Sequence, residues 1–271
     1  MKGCRSPCCR ALALATALSV TGFPSGAGES SPPVDLALVL AVDVSSSMNA
    51  SEQRAQRDGY VGAFRDRDVL GAIASGPRGR IAVTYVEWAG SAYQLVQVPW
   101  TVIGGPGDAA AFADRLAAGP LSADRGTSLS GGLAFAAALF VFAPAADRAV
   151  IDVSGDGPNN TGPAVMTVRD AIIEGGIAIN GLAITLPRDG TSDFADAFGA
   201  GFVAAYYEDC VIGGPGAFVI AVDHAAKFAD AIREKLVLEI AGRPARLMHA
   251  AYRPVARQPV DCATTGERVG R

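Results

Sequence analysis

Apolar runs and alanine-rich stretches take turns along this chain, and their spacing predicts most of its elements. Strand-like runs occur at 35–42 (DLALVLAV), 80–88 (RIAVTYVEW), 92–100 (AYQLVQVPW), 149–154 (AVIDVS), 177–184 (IAINGLAI) and 217–222 (AFVIAV). Most are apolar at consecutive positions, as strands are when helices cover both faces of their sheet. Helical spacing fits 50–74, 107–118, 128–142, 161–174, 192–206 and 224–240. Strands that alternate with helices imply parallel strands joined by helical crossovers.

One pair departs from that rule. Only Ala89, Gly90 and Ser91 separate the second and third strands, too few for a helical crossover, so the third is expected to be an antiparallel edge strand. Its alternation fits an edge, with Tyr93, Leu95 and Gln97 facing one way and Gln94, Val96 and Val98 the other. The first helix carries its own start signal: Asn49 followed by Glu52 matches a capping box, and Tyr60, Val61 and Phe64 follow at helical spacing. The predicted fold is α/β: a doubly wound, mostly parallel six-stranded sheet with one antiparallel edge strand and helices on both faces.

The chain has 271 residues, half of them hydrophobic, which is enough for one domain with a sizeable core. Residues 1–27 stand apart. Lys2, Arg5 and Arg10 precede a short apolar run, ALALATALSV, that gives way to small residues, the layout of a secretory signal with cleavage expected near Ala27. Residues 28–34 read as a linker, 35–240 as the domain and 241–271 as an arginine-rich extension. No later segment offers about 20 uninterrupted apolar residues, so the mature chain is expected to have no transmembrane segment and to be secreted or periplasmic.

Charge and cysteine usage sharpen this picture. Residues 28–240 hold 14 Lys and Arg against 25 Asp and Glu, a balance of −11, whereas 241–271 hold 6 Arg against 2 acids, a balance of +4. An acidic body argues against nucleic acid as the main partner, and the tail reads as a solvated, partly ordered extension. Cys4, Cys8 and Cys9 fall within the leader, leaving Cys210 and Cys262. In an oxidising compartment these two can pair, closing a loop worth roughly 4 kcal/mol in the chain-entropy model, or remain as two thiols.

Candidate chemistry gathers at the ends of predicted strands, where open α/β sheets bind ligands. Asp43 ends the first strand, and Ser45 and Ser47 follow in the loop with the same parity. RGTSLSGGL places Thr127 just before a helix, and VIDVSGDGPNN places Asp156 just beyond a strand, with Asp152 as a competing acid inside it. Two carboxylates and three hydroxyls at one edge suit a hard cation.

These three pieces, in this order, resemble the von Willebrand factor A domain family. DVSSS supplies the Asp-x-Ser-x-Ser pattern, Thr127 the isolated threonine and GDG the second aspartate, over about residues 34–240. SGDGPNN and VIGGPGAF further resemble a branch of secreted bacterial proteins of that family. The resemblance implies a metal-ion-dependent adhesion site for Mg²⁺, with Mn²⁺ or Ca²⁺ as alternatives. It implies that Ser45 and Ser47 bind the ion directly, Thr127 directly or through water, and Asp43 and Asp156 mostly through coordinated waters. A protein partner presenting Asp or Glu would then complete the shell. SGDGPNN departs from the more usual hydroxyl-Asp-Gly phrase, so the loop after Asp156 is expected to have its own shape. Trp88, Pro158, Asn159 and Asn160 are candidates for a partner-contact rim, with a core position as the alternative for Trp88.

Other chemistries fit less well. Gly-x-Ser-x-Gly is absent, and neither His224 nor His249 follows a strand as a triad base would. A phosphate-cradling loop with its lysine is missing, since Lys occurs only at 2, 227 and 235. The expectation is a binding module and not an enzyme; a metal-dependent hydrolase and a structural scaffold with an inactive metal site are the alternatives.

Overall fold

The computed structural model describes residues 31–186, 201–242 and 258–262. All belong to one compact unit that begins at Ser31. The leader, most of the predicted helix 192–206, His249 and most of the arginine-rich extension lie outside the described residues.

A six-stranded sheet forms the centre, in the order β3–β2–β1–β4–β5–β6. Its strands are β1 (Val34–Asp43), β2 (Ile81–Trp88), β3 (Gln94–Ile103), β4 (Ala146–Gly155), β5 (Ala178–Ile184) and β6 (Val219–Val222). All neighbours pair in parallel except β2 and β3, so the short AGS connection makes an antiparallel edge as its length requires. All ten residues of β1 are buried, because helices pack on both faces of this central strand. Leu36, Leu38, Leu40 and Val42 point into one core with α1 (Ala50–Ala63), α2 (Arg67–Ala74), α3 (Pro106–Ala118) and α7 (Phe228–Ala241); Val39 and Ala41 point into the other with α4 (Leu129–Ala138), α5 (Val165–Glu174) and α6 (Phe202–Tyr206). That two-sided burial is why the strand reads as continuously apolar.

Local chemistry explains where the elements differ from expectation. The stretch 50–74 forms two helices, because Asp66 turns extended and accepts a hydrogen bond from Asp68 N, capping a new start. The first does begin with the predicted box: Asn49 Oδ1 accepts from Glu52 N, and Glu52 Oε2 accepts from Asn49 N. The stretch 128–142 is α4 followed by a 3₁₀ turn over Leu139–Phe142. The strict alternation expected in β3 fails at two bulges, where Val86 faces Val96 but Tyr85 faces Val98, and Val83 faces Thr101. Each extra residue reverses the facing, so Val96 and Val98 enter opposite cores.

Two covalent or ionic ties hold the later elements. Cys210 and Cys262 form a disulfide, Cα–Cα 5.6 Å, that staples the chain at 258–262 to the second face; Val260 N also donates to Asp209 Oδ2 at 2.7 Å. Within the first core, Lys235 of α7 lies 2.7 Å from Asp152 Oδ1 of β4 and pairs with Glu239 one turn on, all three fully buried. Asp152 is thereby committed to the core.

Candidate metal centre

The parallel register brings the carboxyl ends of β1, β2 and β4 level: Asp43 lies opposite Trp88, and Val42 opposite Ser154. The loop after β1 turns at once. Asp43 Oδ1 accepts from Ser45 N at 2.6 Å, which curls the chain so that Ser45 Oγ and Ser47 Oγ meet at 2.7 Å. Ser47 Oγ then donates to Asp156 Oδ1 at 2.8 Å, joining the β1 and β4 loops. Four of the five predicted ligands thus form one connected group, and Asp152 is not among them.

Thr127 reaches the same edge through its backbone. Its N–H donates to Asn160 Oδ1 and its carbonyl accepts from Asn160 N, both at 2.9 Å. Upstream, Ser46 N donates to Asp124 O and Asp124 N to Val44 O, so the loop carrying Thr127 lies against the Asp43–Ser47 loop as well. Arg57 of α1 anchors that loop from below. Its Nη1 donates to Gly119 O and Pro120 O at 2.7 Å each, and its Nη2 pairs with buried Glu87.

The electrostatics favour a cation. Asp43 and Asp156 are both buried, and Asp43 Oδ2 finds no hydrogen-bond partner among the described residues. Burial first, and then the negative charge of Asp156, pushes the Asp43 carboxyl up to about 8, against the hydrogen bonds from Ser45 that favour its charged form. A buried carboxylate with an open oxygen beside a second carboxylate and hydroxyls suits a small, hard divalent cation. Among the described residues no group of three or more His, Cys, Asp or Glu could hold a metal, so hydroxyls would have to contribute.

The rim expected from the sequence is corrected in part. Trp88 is fully buried, its ring packed where a side chain on Gly132 would stand, 2.8 Å from Trp88 Cγ, so it is a core residue of the sheet edge. Pro158 and Asn159 are buried too. Asn159 holds the loop from within: Oδ1 accepts from Ser130 N at 3.0 Å, Nδ2 donates to Pro163 O at 3.0 Å, and its N–H donates to the Tyr206 hydroxyl at 3.2 Å. Asn160 is half-buried and its side chain holds Thr127. The polar side chains after Asp156 shape this loop.

Residues outside the sequence reading complete the support. Gln56 Nε2 donates to Ser154 Oγ at 2.7 Å, fixing the end of β4 to α1. Tyr206 and Tyr207 reach the site from the other face. The signal for them was an aromatic pair just before Cys210, together with glycine at the end of β4.

Sheet order, two-sided helical cover and the joined loops define the fold of von Willebrand factor A domains. The sequence profile described as "Protein of unknown function (DUF1194)" matches residues 33–244, and the chain belongs to that family. Solved structures with this fold include three that illustrate its range. Proximal thread matrix protein 1 from the mussel byssus, with a zinc-occupied MIDAS motif, is 12% identical with a TM-score of 0.53, over 77% of this chain and 48% of that one. The pilus adhesin SpaC from Lactobacillus rhamnosus GG, in its open conformation, is 14% identical with a TM-score of 0.56, over 76% and 30%. A von Willebrand factor type A protein from Catenulispora acidiphila is 16% identical with a TM-score of 0.50, over 76% and 43%. The chain therefore spans less than half the length of each. Comparison with curated proteins finds no match.

Proposed function

We propose that this protein is a metal-dependent protein-binding module of the adhesion type. Asp43, Ser45, Ser47, Thr127 and Asp156 would hold Mg²⁺, or Mn²⁺ or Ca²⁺ in its place, and an Asp or Glu of a protein partner would complete the shell. The observation that carries this reading is the connected group from Asp43 through Ser45 and Ser47 to Asp156, with Asp43 Oδ2 buried and open. A cation there would supply a Lewis-acidic centre for an incoming carboxylate. Two of the five ligands carry charge and three are neutral hydroxyls, which leaves such a centre able to attract a further anion. The amino end of α1, with its partial positive charge, lies just after the same loop and adds to that attraction.

The similar structures support the class of function: one is described with an occupied MIDAS motif and another is a pilus adhesin. An exported location agrees with the reading of residues 1–27 as a cleaved leader, and a disulfide is the bond an oxidising compartment maintains. No helix among the described residues is long and apolar enough to cross a membrane.

The test is capture on beads carrying a glutamate-rich peptide, in Mg²⁺ and in chelator. Retention in Mg²⁺ that is lost both in chelator and in the Ser45→Ala, Ser47→Ala double variant is expected. Retention indifferent to chelator and to both substitutions contradicts the metal bridge. Metal-dependent release of product from a generic phosphoester or ester would instead favour a hydrolase.

A further inference from the structure

Beneath the metal loops, on the face away from α1, one buried phenol has no assigned task. Tyr207 is fully buried, and its hydroxyl finds no hydrogen-bond partner among the described residues. A phenol carries its proton at neutral pH, so it meets a carboxylate as a hydrogen-bond donor. The other unpartnered oxygen nearby is Asp43 Oδ2. The two converge on Gly155: a side-chain carbon there would stand 2.6 Å from the Tyr207 hydroxyl and 2.9 Å from Asp43 Oδ2. A second glycine serves the same ring, since a side-chain carbon on Gly181 would stand 2.7 Å from Tyr207 Cδ1. β4 and β5 are bare where the ring crosses them.

The segment that carries this ring is unusual and doubly fastened. Tyr207–Val211 is a single π turn, a form often found at functional sites, closed by Ile212 N donating to Tyr207 O at 3.0 Å. Its neighbour Tyr206 accepts from Asn159 N in the loop after Asp156. Cys210, three residues on, is bonded to Cys262, and Asp209 accepts from Val260 N.

We propose that Tyr207 is a positioning residue of the metal centre, acting on Asp43 across Gly155, and that the Cys210–Cys262 disulfide holds it in place. Tyr207 donates to Asp43 Oδ2 through one water, or directly once the carboxylate turns toward it, and so fixes the carboxylate's rotation while the second lone pair of that oxygen stays available to the ion or its water. This rests on the metal-binding reading of the same site. It makes metal affinity sensitive to the redox state of a bond that belongs to a different part of the chain.

The experiment is a calorimetric titration of Mn²⁺ into the disulfide-bonded protein, its Tyr207→Phe variant, its Cys210→Ser, Cys262→Ser variant and the combination. Loss of a group that orients a metal ligand weakens affinity by about ten- to a hundredfold. Tyr207→Phe is expected to show that loss while its unfolding midpoint in chelator stays at or above the wild-type value, because the ring and its packing remain. The cysteine variant is expected to bind more weakly too, and to lose little further affinity when Tyr207→Phe is added. Wild-type affinity in Tyr207→Phe, in a protein whose parent binds Mn²⁺, overturns the proposal and leaves the metal reading intact. A lower midpoint with unchanged affinity assigns Tyr207 to packing alone. Wild-type affinity in the cysteine variant overturns the role of the disulfide. A parent that binds no Mn²⁺ overturns the metal reading and this inference together.

Discussion

Ser47 Oγ donates to Asp156 Oδ1 at 2.8 Å across 109 residues of chain. Through Ser45 Oγ and Asp43 Oδ1 the same path returns to the end of the central strand, so two loops from adjacent parallel strands are joined by side chains. Ser47→Ala is expected to sever this joint. The loss in stability should be about 1 kcal/mol, a typical net value for one hydrogen bond, and divalent-cation affinity should fall by at least about tenfold. Denaturant unfolding in chelator and a separate metal titration read the two effects.

Gly155 leaves no room for a side chain, because two polar oxygens already occupy the space it would take. Gly155→Ala is expected to destabilise the protein by about 1–3 kcal/mol through overpacking. Adding Tyr207→Phe removes one of the two clashing oxygens and should restore part of that loss. Simple additivity in the double variant, measured by thermal unfolding, would mean that the hydroxyl is not the obstacle.

Arg57 sustains the loop that carries Thr127, and its removal strands Glu87 inside the protein with, among the described residues, only Gln97 Nε2 donating to it, at 2.8 Å. Breaking one partner of a buried ion pair costs about 3–5 kcal/mol. Arg57→Ala should show a loss of that size in denaturant unfolding.

The Lys235 cluster predicts a pH dependence of its own. Burial, and then the charge of Asp152, raises Glu239 from its ordinary 4.5 to about 7, while Lys235 and Asn180 favour its charged form. The folded protein therefore holds a proton that the unfolded chain releases in that window. Stability from this group falls as pH rises from about 4.5 to about 7 and is level above that. Glu239→Gln keeps a neutral side chain there and leaves Lys235 with Asp152 alone, so it should flatten the slope and raise the unfolding temperature at pH 8. An unchanged slope in the variant would assign the dependence elsewhere.

Much of this was legible in the residues. Continuous apolar strands indicated two-sided cover, the AGS connection gave the antiparallel edge, and DVSSS at a strand end before a capped helix marked the site loop. Each of these signals is local. What escaped is decided by contacts between distant segments. Trp88 is core because Gly132 of α4 leaves room for its ring, and no pattern within VEW records that. The bulges in β3 follow from pairing with β2, and the split near Phe64 from one capping aspartate. Asn159 and Asn160 look like surface polar residues in sequence, yet they spend their amides on Ser130, Pro163 and Thr127.

The central claim is that the joined loops bind a divalent cation, and calorimetric titration of Mg²⁺ into the chelator-stripped protein beside its Asp43→Ala variant tests it most directly. The account predicts saturable binding that is lost in the variant while both proteins remain folded by circular dichroism. No binding by the folded parent, or equal binding by the variant, would contradict it.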